Sequence, residues 1–388
     1  MNRAILDKEL ENIDAPGLGV IIYKGGEEVY SKFLGKRDIK NSKPVTRNTR
    51  FRVASVSKMF TIFSVMQLVE QGKINLDDDA SDYLGFELRN PNFPQKKITP
   101  RMLASHTSTL RDGKIYSIPP DLNVAEFFSP QGKFWEDGAH FSKLDNYFTY
   151  CNLNYGLLGT IIENITGKRF DIYQRENIPA QLATKSEYLP GNFSPAEFEM
   201  LGKIYRKTDV WQPSMDDFKV QPAKNFVSLQ NPYAENFQGN YSLENYRVGT
   251  NATIFSPQGG LRISFEELAH TLEMLMNDGI FRGEKILSKN SLKEMFKPHW
   301  IYDGKNGDTC GGVFLSYGLG IYHVKDFKIN LIGHSGAAFG LLSGLFFIPD
   351  TKSGFIYMMN GSQEEDLPGG YYVCEKKIMN AVCNFLAD

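Results

Sequence analysis

The pattern of apolar positions divides the chain into strand-rich ends and a helical middle. Residues 17–24 (GLGVIIYK) and 28–33 predict two strands, joined at Gly25-Gly26 as a hairpin. From 55 to 71, apolar side chains lie on almost every face of a helical pattern, which is typical of a buried helix. Further helices are predicted at 3–13, 154–166, 265–278 and 371–386, and further strands at 311–324, 328–332, 338–348 and 353–359.

This order of elements predicts an α+β fold, in which both ends of the chain form an antiparallel sheet flanked by helices. We expect residues 1–54 and 300–388 to form the sheet region and 55–299 to be a mostly helical region inserted between them, all in a single catalytic unit. Residues 205–255 show no periodicity and predict a loop-rich insertion. Because long structureless loops are uncommon unless they are functional, this segment either lines a substrate cleft or is a surface insertion.

Composition and charge describe an ordinary globular chain without a strongly basic surface. The 388 residues are 41% hydrophobic and 23% charged, with a formal net charge of −2. We therefore expect no nucleic-acid partner. The chain contains no long uncharged apolar stretch and begins with charged, amphipathic residues, so we expect no transmembrane segment. This favours a soluble protein, cytoplasmic as written, or periplasmic or extracellular if a signal peptide has been removed; the oligomeric state stays open.

Neither the four cysteines nor the six histidines have the spacing of a metal site. Free buried or half-buried thiols are favoured for the cysteines, with a disulfide between two of them as the alternative. Gly17-Leu18-Gly19 lacks the third glycine of a dinucleotide-binding fingerprint. We therefore expect neither a metal nor a cofactor.

Three short motifs carry candidate chemistry, and the first is Ser55-Val56-Ser57-Lys58. If Ser55 opens the predicted helix, Lys58 lies one turn on and on the same face, which puts an amine beside the hydroxyl. A serine hydroxyl needs a neighbour to take its proton, and burial can lower the pKa of a lysine for this purpose. Alone, the spacing more often marks an N-cap serine and a solvated lysine. Ser57 is the rival nucleophile, but no amine follows it at the same spacing.

The second motif, Tyr150-Cys151-Asn152, precedes the helix predicted at 154–166. A tyrosine whose pKa is depressed by a nearby Lys58 ammonium can act as a base or pass a proton to a leaving group. The Asn152 amide can hold Lys58 and a substrate carbonyl at the same time. The alternative is a loop tyrosine followed by an asparagine that caps the helix.

The third motif, His334-Ser335-Gly336-Ala337, falls between two predicted strands. Small residues at a strand edge allow a substrate to pair its backbone with the sheet, and Gly336 removes side-chain bulk there. The Ala337 N–H is a candidate oxyanion donor beside that of Ser55. His334 is a candidate for orienting the substrate or assisting proton transfer. A bulged strand with a packed histidine is the alternative.

In this order, the three motifs resemble those of the serine β-lactamase and penicillin-binding-protein superfamily, whose signatures include S-x-x-K and K-T-G. The Tyr-x-Asn element resembles the branch of class C β-lactamases, D-alanyl-D-alanine carboxypeptidases, D-aminopeptidases and esterases. The resemblance implies the β-lactamase/transpeptidase-like fold and a serine hydrolase whose substrate is a small molecule or peptide: a D-amino-acid peptide, a small ester or a β-lactam. The similar segments cover nearly the whole chain: 51–58, 103–110, 150–167, 256–262, 317–320 and 333–340.

The resemblance also implies a role for each matching residue. Ser55 would be acylated, while Lys58 and Tyr150 would share the general-base work. Asn152 would position the substrate, and the backbone N–H groups of Ser55 and Ala337 would form the oxyanion hole. The remaining third-motif residues that would contact the substrate are His334, Ser335 and Gly336.

The chain departs from this pattern at two positions. His334 stands where class C β-lactamases carry lysine, and a neutral histidine attracts a β-lactam carboxylate less than a permanent cation does. Peptides or esters are therefore favoured over β-lactams as main substrates. Thr109 stands where the 103–110 turn usually has glycine, which would alter the backbone there; His106 in the same turn is expected to be structural. The alternative hypothesis for the whole chain is a catalytically weak penicillin-binding or scaffold protein with the same fold.

Overall fold

The structure is a computed structural model that describes residues 1–136, 139–229, 239–363 and 370–388. Within these ranges the helices are α1 (Arg3–Glu11), α2 (Ser57–Glu70), α3 (Ala80–Leu84), α4 (Pro100–Ala104), α5 (Leu153–Thr166), α6 (Phe170–Asn177), α7 (Pro195–Phe198), α8 (Phe265–Met276), α9 (Lys289–Phe296) and α10 (Val373–Ala387). The strands are β1 (Gly17–Lys24), β2 (Glu27–Asp38), β3 (Lys43–Pro44), β4 (Arg50–Arg52), β5 (Ile204–Lys207), β6 (Trp211–Met215), β7 (Phe226–Leu229), β8 (Gly239–Ser242), β9 (Arg262–Ser264), β10 (Ile280–Phe281), β11 (Glu284–Lys285), β12 (Trp300–Ile301), β13 (Ser316–Tyr317), β14 (Tyr322–Val324), β15 (Leu331–Ala338), β16 (Leu341–Ile348), β17 (Ser353–Met359) and β18 (Gly361–Gln363).

Strands from both ends of the chain form one antiparallel sheet. Its described strands follow the order β12-β13-β14-β15-β16-β17-β1-β2-β3. The two ends meet where β1 pairs with β17, with Leu18 opposite Met359 and Ile22 opposite Phe355. The prediction of an α+β fold with an antiparallel sheet and helices is confirmed.

Strand β1 shows why helices cover both faces of this sheet. It is buried over all but its last residue, so side chains of both orientations need an apolar neighbour. Val20 and Ile22 belong to the apolar cluster that includes Leu6 of α1 and Ile378 of α10. Ile21 points to the opposite side and belongs to the cluster that includes α2, α5 and α8. The sheet is therefore the middle layer between two groups of helices.

The helical region is organised around α2, which is buried from Ser57 to Leu68. Its apolar side chains face neighbours in every direction, as the absence of a polar stripe predicts. The helix begins at Ser57 rather than at Ser55, because Ala54–Val56 form a preceding turn of 3₁₀ helix. Among the described residues, every helix is too short or too polar to cross a lipid bilayer.

Two predicted features differ from the structure. The segment 205–255 was expected to lack regular structure, but it contains part of β5 and all of β6, β7 and β8; residues 230–238 lie outside the described part. Strands of four or five residues contain too few alternations to produce a clear period. The strand predicted over 311–324 is divided into β13 and β14 by a turn that includes Gly318 and Gly320, where Gly320 has φ of 66°.

Candidate active site

The 3₁₀ turn before α2 presents the side chain of Ser55 to a cavity between the sheet and the helices. Strand β4 leads into this turn, and Ala54 adopts the left-handed region with φ of 45°. This conformation costs a residue other than glycine roughly 1–2 kcal/mol. Ala54 is nevertheless buried, so the surrounding structure holds the turn in place. Ser55 therefore lies at a fixed point above the first turn of the buried helix.

Lys58 lies beneath Ser55 and is fully buried. Its Nζ is 3.1 Å from Ser55 Oγ, 2.8 Å from Asn152 Oδ1 and 3.1 Å from the carbonyl oxygen of Gln258. Burial lowers the pKa of Lys58 to about 7, although the charge of Asp112 acts in the opposite direction. A large fraction of the amine is therefore neutral near pH 7.

Tyr150 lies on the other side of Ser55, and its hydroxyl hydrogen-bonds with that serine. Its ring stacks on Phe314 at a centroid distance of 5.0 Å, and Lys58 Nζ is 4.6 Å from the ring centre. Burial raises the pKa of Tyr150 well above its usual value. The expectation that a Lys58 ammonium would depress this pKa is therefore wrong, because burial dominates and the hydrogen bond with Ser55, which lowers the pKa, does not offset it. The Tyr150 hydroxyl therefore stays protonated near neutral pH.

Asp112, which lies outside all three motifs and was not predicted as a site residue, fixes the orientation of Asn152. Its Oδ2 accepts hydrogen bonds from the backbone N–H (2.9 Å) and the side-chain Nδ2 (2.8 Å) of Asn152. Its Oδ1 accepts from the backbone N–H of Leu153 at 2.9 Å, so the carboxylate also satisfies the start of α5. Since Nδ2 of Asn152 is held by Asp112, its Oδ1 must face Lys58. The only signal in the sequence is that Asp112 follows the 103–110 turn.

The 103–110 turn packs against the second motif through His106. His106 Nδ1 accepts a hydrogen bond from the backbone N–H of Cys151 at 3.1 Å, and its ring lies 4.4 Å from that of Tyr150. Thr109 has φ of 65°, so it keeps the left-handed conformation that glycine favours. The Asn90 amide donates to Thr109 Oγ1 at 3.0 Å and helps to hold it there. The expected change of backbone at Thr109 therefore does not occur.

The third motif lies within β15, not between two strands as predicted. Strand β15 passes directly beside the nucleophile turn: a Cβ added to Gly336 would lie 2.4 Å from the carbonyl oxygen of Val53 and 3.0 Å from the backbone nitrogen of Ser55. Only glycine permits this approach. Ala337, the next residue, is exposed and lines the cavity. The geometry thus brings the backbone of residues 336–337 to the nucleophile.

His334, in contrast, is buried and is not among the residues that line the cavity. Its Nδ1 donates to the carbonyl oxygen of Ser335, and its Nε2 accepts from the Tyr317 hydroxyl at 2.9 Å. Burial, aided by the charge of Lys58, lowers the pKa of His334 to about 3. The ring is therefore neutral, and both its nitrogens have hydrogen-bond partners within the protein. The Ser335 hydroxyl likewise accepts a hydrogen bond from Tyr322 at 2.9 Å.

The cavity above Ser55 has a volume of about 770 Å³. Tyr150, Asn152 and Ala337 line it together with Ser55, so residues from all three motifs share one chamber. Part of its wall comes from the 205–255 segment. Within the described ranges, no three histidine, cysteine, aspartate or glutamate side chains come together as a set of metal ligands.

The antiparallel sheet between two groups of helices, with a serine–lysine pair at the start of a buried helix, is the arrangement of the β-lactamase/transpeptidase-like fold. The family model described as Beta-lactamase matches residues 2–373. The chain belongs to the Beta-lactamase family, and the predicted relationship is confirmed.

The chain is similar to several known proteins of this kind. It is 27% identical over 176 residues to "Protein flp" of Staphylococcus aureus (strain NCTC 8325 / PS 47), covering 44% of this chain but only 34% of that relative. The octameric penicillin-binding protein homologue from Pyrococcus abyssi has a TM-score of 0.70 at 23% identity, over 100% of this chain and 78% of that one. The D-amino acid amidase from Ochrobactrum anthropi SV3 has a TM-score of 0.68 at 20% identity, over 99% of both chains. At these identities the structural similarities establish the fold.

Proposed function

We propose that the chain hydrolyses an amide or ester through an acyl-enzyme on Ser55. The hydrogen-bonding of Lys58 carries this proposal. Two of its three polar neighbours, Asn152 Oδ1 and Gln258 O, are carbonyl oxygens that only accept. A neutral amine gives its two hydrogens to these oxygens and directs its lone pair at the third neighbour, the Ser55 hydroxyl. Lys58 is therefore oriented as a general base whose pKa, about 7, suits neutral pH.

The proposed reaction begins when Ser55 Oγ attacks the substrate carbonyl carbon and Lys58 takes the hydroxyl proton. Backbone N–H groups of Ser55 and Ala337 stabilise the oxyanion that forms. The Tyr150 hydroxyl gives a proton to the leaving nitrogen or oxygen as its bond to carbon breaks, and Tyr150 is reprotonated from the Lys58 ammonium. Water then attacks the acyl-enzyme, which releases a carboxylic acid and restores Ser55.

Among possible substrates, the environment of His334 favours peptides and esters over β-lactams. A permanent cation at this position would attract a β-lactam carboxylate, whereas His334 is neutral and its ring is buried. The structural similarity to a D-amino acid amidase makes D-amino-acid amides a reasonable part of the test panel.

The test measures turnover of p-nitrophenyl esters, D-amino-acid amides and nitrocefin by the full chain and by Ser55→Ala. Intact-mass measurement after a fluorophosphonate probe locates the adduct. We expect Ser55→Ala to lose both turnover and adduct, and Ser57→Ala, the neighbouring-serine control, to keep the adduct. Equal turnover by the parent chain and Ser55→Ala would refute the proposal. A stoichiometric, stable adduct with penicillin but no turnover of any substrate would favour the alternative of a penicillin-binding or scaffold protein.

A further inference from the structure

The cavity beside Ser55 combines an apolar wall with an arginine that forms no ion pair with an acid among the described residues. The apolar part comes mainly from the 205–255 segment and the loop before α8: Met215, Phe218, Val220, Phe226, Leu229 and Phe255. Two of these side chains are exposed, Val220 at 80% and Phe226 at 39%. Large apolar groups that line an open cavity gain free energy when an apolar ligand covers them.

The arginine is Arg52, the last residue of β4. It lies opposite Arg262 of β9 in the two-stranded pairing of these strands. Arg262 has a counter-ion, since both oxygens of the buried Asp216 accept from its guanidinium at 2.6 and 2.8 Å. Two like charges at facing positions repel each other. Asp216 forms its ion pair with Arg262, and its charge reaches Arg52 only from a longer distance, as a smaller effect than burial and the Arg262 charge.

Arg52 has only uncharged acceptors among the described residues. Its Nε donates to the carbonyl oxygen of Gly259 at 2.9 Å, and its Nη2 donates to Ser256 Oγ at 3.2 Å. Its guanidinium carbon lies 5.5 Å from the ring centre of Phe339, which keeps the group at the cavity wall. Burial, followed by the charge of Arg262, lowers the pKa of Arg52 to about 10, so it is still a cation at pH 7. A half-buried cation of this kind is a strong site for a carboxylate, because desolvation strengthens the pairing.

We propose that the substrate of this site is an amide or ester that carries both an extended alkyl or aryl group and a carboxylate, with the carboxylate bound by Arg52 and the apolar group in the 205–255 part of the cavity. This inference rests on the proposed function, because it concerns the same nucleophile. Arg52 and Ser55 line the same cavity, so one extended substrate can contact both. A cationic substrate is disfavoured for the same electrostatic reason.

The test compares three p-nitrophenyl esters: the acetate, the octanoate and the monoester of suberic acid, which ends in a carboxylate. We expect kcat/KM for the octanoate to exceed that for the acetate by at least tenfold. We also expect the suberate monoester to be preferred over the octanoate, and this preference to fall as salt is added, since screening weakens a charge pair. Arg52→Met should reduce the suberate-to-octanoate ratio of kcat/KM at least tenfold, mainly through KM. Arg52→Lys should recover part of it.

The ratio is measured within one variant, so the fraction of folded enzyme cancels. Arg282→Met, a matched substitution at a distant arginine, should leave the ratio at its parent value. Ser55-dependent turnover with no preference for the carboxylate, or a ratio unaffected by Arg52→Met and by salt, would overturn this inference alone. Absence of Ser55-dependent turnover on all three esters would instead overturn the proposed function. If Arg52→Met does not fold, the salt dependence of the parent ratio decides the question.

Discussion

Asp112 connects the start of α5 to Lys58 through Asn152, and Asp112→Asn tests that connection. The substitution keeps the shape of the side chain but removes its charge and replaces one acceptor oxygen with a donor NH₂. Three N–H groups now point at the carboxylate: the backbone groups of Asn152 and Leu153 and the Asn152 amide. In either orientation of the new amide, at least one of these groups faces another donor.

The expected loss of stability follows from these contacts. A hydrogen bond to a charged group contributes about 1.5–3 kcal/mol, and a negative charge at a helix start adds about 0.3–1 kcal/mol. Because the isosteric side chain keeps part of the network, we expect the free energy of unfolding to fall by about 2–4 kcal/mol. Urea denaturation measures this, with the exposed Asp121→Asn as the control.

Asp112→Asn should also shift the pH midpoint of the acylation rate in one direction. If neutral Lys58 is the base, the acylation rate rises with pH through a midpoint near its pKa of about 7. The negative charge of Asp112 favours the ammonium form and raises that pKa, so removing the charge shifts the midpoint to lower pH. The plateau rate should also fall about tenfold, which corresponds to about 1.4 kcal/mol, because Asn152 no longer holds Lys58.

Stopped-flow acylation by a p-nitrophenyl ester between pH 5 and pH 9 measures both effects. A variant that loses stability but keeps the parent midpoint and plateau would refute the reasoning, since Asp112 would then act only as a helix cap. A midpoint displaced to higher pH would contradict the assignment of Lys58 as the base.

Two further predictions concern Gly336, which lies in β15 beside the turn that carries Ser55, and the buried acid Glu375. Gly336→Ala should lower the rate of fluorophosphonate labelling of Ser55 at least tenfold, as measured by intact mass. The added methyl would lie 2.4 Å from the carbonyl oxygen of Val53 and 3.0 Å from the backbone nitrogen of Ser55, and these backbone atoms can move only if the turn itself shifts. Glu375 is buried beside the Tyr357 hydroxyl, and burial raises its pKa from 4.5 to about 7. Its protonated form therefore stabilises the fold fully at low pH, and this contribution of about 3 kcal/mol is lost as pH rises through 7. Glu375→Gln should flatten the fall of melting temperature between pH 5 and pH 8.

A specific result would contradict each of these two predictions. Normal labelling of Gly336→Ala would mean that β15 does not approach the turn as closely as described. For the acid, Glu9→Gln is the control, because Glu9 is exposed and should leave the pH dependence as it is. Identical slopes for the parent chain and Glu375→Gln would assign the pH dependence to other groups.

The long elements of this fold were predictable because each repeats its pattern many times. Helices α2 and α5 contain 14 residues each, enough to distinguish helical spacing from other patterns. Strand β1 joins β2 through a two-glycine turn that is visible in the sequence. The strands of 205–255 were missed because a four-residue element has no period to detect. The boundaries of β15 were misjudged since Gly336 and Ala337 have low strand propensity, and contact with the nucleophile turn overrides it.

The candidate site was partly predictable for a different reason. The order of three motifs predicted a site at Ser55, Lys58, Tyr150 and Asn152. Of these residues, Ser55, Tyr150 and Asn152 line one cavity, and the buried Lys58 hydrogen-bonds with Ser55 and Asn152. The role of Asp112 was not predicted, because its contact with Asn152 joins residues 40 positions apart and no local sequence pattern indicates such a contact. The pKa of Tyr150 was misjudged because burial, which dominates it, is a property of the folded surroundings.

The pairing of β1 with β17 has a consequence for how the protein is made. The nucleophile is synthesised early, but β15 reaches the turn only after residue 338 exists, and β1 finds its partner only after residue 359. Contacts between residues so far apart in sequence form slowly during folding. A nascent chain therefore exposes the apolar edge of β1 until β17 has been synthesised and has paired with it. Ribosome-bound fragments that end before β15 should therefore carry Ser55 yet fail to react with acylating probes. The site therefore forms only after most of the chain has been translated.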